Sequence, residues 1–217
     1  MVGYDDILAH AGKAHLDPVG AFHPTGDDGA PPDCRTLVLF GPGEPGFWAH
    51  LKAAPEMRDG RPDPVDRWSR RVLGDLARDL GAVPLFPFDG PPWPPFIAWA
   101  KRTGRVWSSP VTLLVHDRAG LMLSIRGALA FPGHIPLPDV PDAAPCPACA
   151  APCTSACPVG ALSAEGYDTA ACHAHLDSPE GAACMTQGCA ARRACPVSAT
   201  YPRHPAQSAL HMAAFHP

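Results

Sequence analysis

The sequence predicts an α+β protein, a mostly antiparallel sheet with helices against it, followed by a small cysteine-rich module. Three observations carry this expectation. Short apolar runs bounded by Pro and Gly alternate with helical periodicities, without the long regular βαβ rhythm of a doubly wound sheet. The stretch "PGHIPLPDVPDAAP" marks a proline-rich linker. Beyond it, eight of the nine cysteines fall between Cys146 and Cys195. The expected divisions are residues 1–138 for the α+β domain, 139–201 for the cysteine module and 202–217 for a docking tail.

Residues 3–14 suit a short amphipathic helix, and "RTLVLFG" after Cys34 is a continuous apolar run of the kind a buried strand shows. "EPGFWAHLKAA" opens a helix, with Glu44 and Pro45 suited to its first turn. The clearest helix is "DPVDRWSRRVLGDLARDLG". Asp63 is placed to cap it, Pro64 fits the first turn, and Val65, Trp68, Val72, Leu76 and Leu80 recur at intervals of three and four until Gly81. "AVPLFPF" reads as an edge strand because of its prolines, followed by the loop "DGPPWPP" and the short helix "FIAWAKRTG". "PVTLLVH" and "LMLSIRGALAF" flank "DRAG" as a hairpin turning at Gly120. "PAQSALHMAAFHP" suits the docking helix.

Of 217 residues, 18% are charged and the net charge is −4, which argues against a nucleic-acid partner. The start "MVGYDDILAHAGKAHLD" lacks the basic end and apolar stretch of a signal peptide. No apolar run reaches the roughly 20 residues that cross a bilayer. A cytoplasmic protein with no membrane partner is expected, and in that compartment clustered thiols are metal ligands more often than disulfides.

From Asp142 to Tyr201 there are only seven large apolar residues: Val159, Leu162, Tyr167, Leu176, Met185, Val197 and Tyr201. So few cannot offset backbone ordering at about 1–2 kcal/mol per residue, so something else is expected to hold the segment together. The cysteines supply a candidate. Bacterial ferredoxins bind [4Fe-4S] clusters through C-x2-C-x2-C-x3-C-P, the fourth cysteine ligating the other cluster. Here the run Cys146, Cys149, Cys153, Cys157 reads C-x2-C-x3-C-x3-C-P, and "SACPVGA" at Cys157 recurs as "RACPVSA" at Cys195. On that template Cys146, Cys149 and Cys153 with Cys195 hold one cluster, and Cys172, Cys184 and Cys189 with Cys157 a second. One cluster in place of two stays open, as do structural zinc and disulfides. Cys34 reads as a core residue. His173 and His175 read as neighbours of a cluster or solvated side chains. Arg192 and Arg193 either face a reduced cluster or lie on the surface.

"RTLVLFGPG", the long helix, "FPFDGPP", "TLLVHDRAGLMLSIRGALAF" and the cysteine module, in that order, resemble a shortened epoxyqueuosine reductase, a cobalamin-dependent iron–sulfur family. "VHDRAGLMLSIRGALAFPG" also resembles, without gaps, a stretch of the type C methylmalonic aciduria cobalamin-processing family, matching at His116, Arg118, Gly120, Ile125, Arg126 and Gly127. The resemblance implies a nitroreductase-like antiparallel α+β core followed by a ferredoxin-like iron–sulfur module. It implies two [4Fe-4S] clusters, cobalamin contacted by His116, Arg118, Gly120, Arg126 and Gly127, and Asp89 as proton donor. A turn role for Asp89, a local ion pair for Arg126 and a core role for His116 remain as alternatives.

The expectation that follows is an iron–sulfur reductase passing electrons to a corrinoid or small-molecule substrate in the N-terminal domain, with an electron-donor protein as partner. A non-catalytic electron carrier or corrinoid chaperone and a zinc-stapled binding module are the alternatives.

Overall fold

The computed structural model describes residues 2–217. The chain forms two compact units, and neither is contiguous in sequence. The first comprises the segments to Arg105 and Ser124–Pro141; the second comprises Val106–Leu123 and Asp142–Pro217.

The first unit is built on a four-stranded antiparallel sheet. Strands β1 (Leu16–Phe22), β2 (Thr36–Pro42), β3 (Val83–Leu85) and, later in the chain, β6 (Gly127–Phe131) lie in the order β1-β2-β6-β3. β2 and β6 are central and buried along their whole length, which explains their continuous apolar composition in place of alternation. β3 is an edge strand, as its proline requires. Around the sheet lie α1 (Tyr4–Lys13), α2 (Phe47–Ala53), α3 (Pro64–Leu80) and α4 (Phe96–Arg102).

Helix α3 buries Trp68, Val72, Leu76 and Leu80 of the predicted stripe together with Leu73, while Val65, at its first turn, is only half-buried. Its start differs from expectation. Asp63 sits at φ +52° and its side chain makes no capping hydrogen bond, so Pro64 alone sets the first turn. Gly81 ends the helix in the left-handed region, and the Ala82 amide donates to the Ala77 carbonyl across the closing turn. Phe47 meets Trp68 edge to face, with ring centroids 5.3 Å apart.

The first half of the expected linker belongs to this unit. Thr36 Oγ1 donates to the Gly133 carbonyl at 2.8 Å and accepts from the Ile135 amide at 2.9 Å, while Ile135 is buried.

The second unit contains β4 (Val106–Ser108) paired antiparallel with β5 (Leu114–His116), then α5 (Thr169–Leu176), α6 (Ala182–Gln187), α7 (Ala190–Ala194), α8 (Pro196–Thr200) and α9 (Pro205–Phe215). α9, the expected tail, packs on α6 within the unit. The predicted hairpin around "DRAG" is not one ladder. Its first arm, β5, pairs with β4, whereas its second arm continues into β6 of the other unit.

This division corrects the second part of the expected fold class. The α+β description holds, but the cysteine segment is not a module that lacks an organic core. Residues 106–123 bring Val111, Val115 and Leu121, all essentially fully buried, into one cluster with Leu162, Ala191, Cys153 and Cys195, and Trp107 and Leu113 pack against it. Burying each large side chain contributes about 1.5–3 kcal/mol, so the imported segment supplies the apolar burial that residues 142–201 lack. The ferredoxin-like iron–sulfur module expected from the cysteine spacing is withdrawn, since among the described residues no group of three or more His, Cys, Asp or Glu side chains could hold a metal ion. Among the described residues no helix is long and apolar enough to cross a membrane.

Candidate functional site

The second unit holds its thiols against the imported segment, and local chemistry explains how. At the tip of that segment His116 and Gly120 exchange backbone hydrogen bonds of 3.0 and 2.9 Å. The buried His116 ring fills the turn: Nδ1 accepts from the Arg118 and Ala119 amides at 3.3 and 3.1 Å, and Nε2 lies 3.0 Å from Asp117 Oδ1. With Nδ1 accepting, the ring proton resides on Nε2, beside the carboxylate.

Gly120 has φ +56°, and a Cβ there would lie 2.5 Å from the Ser198 nitrogen, so only glycine lets the turn approach α8. The next residue is clamped on both sides. The Leu121 amide donates to Ser198 Oγ at 2.8 Å, and Arg192 Nη1 donates to the Leu121 carbonyl at 2.7 Å. Arg203 Nη1 donates to the Met122 carbonyl at 3.0 Å.

Against this turn lies a small recess of about 20 Å³, partly open to solvent, lined by Cys146, Cys149, Cys153 and Cys195 together with Ser109 and Leu121. All nine cysteines of the chain are unbonded. Burial pushes the Cys146 thiol up, and the neighbouring thiols Cys153, Cys195 and Cys149 push it the same way. Burial also raises Cys153. Cys195 moves in the opposite direction. Burial opposes its ionisation, but the amides of Ser198, Leu121 and Val197 and the Ser198 hydroxyl bond to the sulfur and together hold its pKa below the usual thiol range.

The remaining cysteines form a second neighbourhood. Burial raises Cys172, the Tyr167 hydroxyl hydrogen-bonds to it, and Cys189, Cys157 and Cys184 act on it electrostatically. Arg192 is the cation beside Cys189 and Tyr167, and burial pulls its pKa down. Arg192 is thus a buried brace of the Leu121 turn. Arg193 Nε donates to the Gly188 carbonyl at 3.1 Å. His173 Nδ1 lies 2.6 Å from His216 Nδ1, and His216 Nε2 lies 3.0 Å from Asp177 Oδ1, which ties the end of α9 to α5.

Proximity of thiols is not coordination. Among the described residues no group of three or more His, Cys, Asp or Glu side chains is arranged to hold a metal ion. This overturns the expected [4Fe-4S] clusters, whether two or one, the structural zinc, and the cobalamin-linked iron–sulfur reductase together with its carrier and chaperone alternatives. The physical reason lies in the surroundings. Cys153 and Cys195 are packed as members of an apolar cluster with Val115 and Leu121, and Leu162 and Ala191 fill the space around them.

The residues proposed for a corrinoid divide between the two units. His116, Arg118 and Gly120 lie in the second, where His116 and Gly120 build the turn and Arg118 is exposed. Arg126 and Gly127 lie in the first. The Arg126 amide donates to the Phe40 carbonyl at 2.7 Å, its Nη1 is 3.7 Å from Asp66 Oδ1, and its buried Nε has no hydrogen-bond partner among the described residues. A Cβ on Gly127 would come within 2.6 Å of Leu73 Cδ1, so this glycine permits α3 to pack on β6. Asp89, the candidate proton donor, is a partly exposed carboxylate paired with Arg70 at 2.5 Å. Arg70 in turn lies over Phe86 and Phe88, 5.0 Å from each ring.

Sequence reasoning missed Ser109 and Leu121 as lining residues, since they stand 37 and 25 positions before Cys146 and nothing in "WSSPVT" signals a site. No family model, no curated protein and no solved structure matches this chain.

Proposed function

We propose that the chain is a small-molecule-binding protein whose ligand site is the four-thiol recess of the second unit, and that its ligand is a soft, thiol-reactive compound. One observation carries this reading: four unbonded thiols converge on a single recess whose other walls are largely apolar. Thiols are polarisable and weakly hydrated, so such a lining favours soft electrophilic carbon or sulfur over hard, strongly hydrated groups. Kinship with the epoxyqueuosine reductase and cobalamin-processing superfamily is part of the proposal. The antiparallel α+β sheet of the first unit and the matching motif at residues 116–127 support it, without the cofactors of those families. The electron-donor partner has no role in this reading.

Thiol titration and differential alkylation of the native full chain test it. Nine free thiols are expected after anaerobic purification. One equivalent of a bulky maleimide should protect Cys146, Cys149, Cys153 and Cys195 together from a second, small alkylating reagent, leaving Cys34 unaffected by the occupant. Bound iron, acid-labile sulfide or zinc in place of titratable thiols overturns the proposal, as does independent reaction of the four.

A further inference from the structure

The recess offers its thiols to one another. It encloses about 20 Å³, which is room for about one water molecule, so the four cysteines that line it have little between them. Exposure divides them into two kinds. Cys153 and Cys195 are buried within the apolar cluster, whereas Cys146 and Cys149 are only partly buried. A reagent arriving from solvent meets the second pair first.

The backbone between those two residues is an independent observation. Cys146, Pro147, Ala148 and Cys149 form a C-x-x-C run, and the Cys149 amide donates to the Cys146 carbonyl at 3.0 Å. That bond closes a four-residue turn, with Pro147 at the position where proline presets the backbone. Such a turn keeps its first and last Cα atoms within about 7 Å, and a disulfide spans Cα separations of about 4.4–6.8 Å. The Ala151 amide donates to Cys149 Sγ at 3.3 Å, which fixes the sulfur at the end of the turn. Pro147 and Ala148 are exposed, so the turn is open to approach from outside. The pair thus meets two requirements of reversible disulfide closure, backbone spacing and access.

We infer that Cys146 and Cys149 form a dithiol modification site, which low-molecular-weight disulfides close into an intramolecular bond. This rests on the thiol-reactive recess proposed above and names its reagent class and its product. One thiol of the pair gives its proton to water and attacks a sulfur of the incoming disulfide RSSR. A mixed disulfide forms, and the leaving RS⁻ takes a proton from water to become RSH. The other thiol of the pair then attacks the protein-side sulfur of the mixed disulfide, and the second RSH leaves in the same way. Two electrons pass from the dithiol to RSSR, and the products are one Cys146–Cys149 disulfide and two RSH. Because the second attack is intramolecular within the turn, it outruns attack by a further small thiol.

The test exposes the anaerobically purified full chain to oxidised glutathione, followed by intact mass and by peptide mapping without reduction. The expected product retains no glutathione, has lost two hydrogens and two of its nine titratable thiols, and maps to a Cys146–Cys149 link. Cys146→Ser and Cys149→Ser, checked for fold by circular dichroism, should each keep one glutathione on the remaining member of the pair. A variant that keeps none overturns the exchange route. In the unsubstituted chain, a link from either residue to Cys153 or Cys195, or a lasting glutathione adduct, overturns this inference and leaves the recess as the thiol-reactive site. Absence of reaction at every recess cysteine removes that site as well.

Discussion

Single residues in this protein are held mainly by what they bond to nearby. Glu56 shows this in the first unit. It is a buried carboxylate receiving Arg71 Nε at 2.5 Å and Nη2 at 3.0 Å, and Arg71 holds its pKa below the ordinary value against the opposing effect of burial. A depressed folded-state pKa stabilises the fold at pH above the unfolded-state value, and that stability is lost as pH falls through the folded value. Glu56→Gln is therefore expected to cost about 1–3 kcal/mol at pH 7. The deficit should shrink to near zero once the pH falls below the folded pKa of the native carboxyl. Urea unfolding of both proteins between pH 7 and pH 3 measures it, and a constant difference across that range would contradict the ion-pair account.

At the scale of elements, the segment Val106–Leu123 decides how the second unit coheres. Leu121 packs in the cluster with Cys153 and Cys195 while its peptide groups bond to Ser198 and Arg192. Truncation by Leu121→Ala leaves a cavity beside the thiols, with an expected loss of about 2–5 kcal/mol. Reaction of Cys153 and Cys195 with a thiol reagent should accelerate in parallel, and an unchanged rate would show that the segment does not shield them.

Some of these elements are legible in the sequence and others are not. Helix α3 declares itself because its stripe depends only on local spacing. β1 is hidden because Pro18 and Gly20 break the strand pattern; they flank a bulge in its register, on an edge of the sheet. The "DRAG" hairpin is misleading because alternation along a chain cannot show that two consecutive arms pair with different partners. The cysteines are conspicuous, but part of their packing comes from Val111, Val115 and Leu121, which precede β6 and the whole proline-rich stretch in the chain. No local pattern links those residues to thiols that follow so much later.

For the whole molecule, the consequence of two interleaved units is cooperativity in sequence terms. The chain passes between the units after Arg105, after Leu123 and after Pro141. A fragment spanning residues 139–217 carries every cysteine of the second unit and none of Val111, Val115 or Leu121. Expressed alone it is expected to be unfolded, with all eight thiols reacting at the rate of a denatured control. Adding the peptide 106–123 in trans should restore protection in part. Protected thiols in the lone fragment would mean that the imported core is dispensable.

The passage of Val106–Leu123 into the cysteine unit also constrains inheritance. No single cut of the gene releases a self-sufficient thiol module, so recombination at the proline-rich stretch would deliver a damaged product on both sides of the joint. Transplanting the recess into another scaffold requires two separate inserts, residues 106–123 and the segment from Asp142 onward.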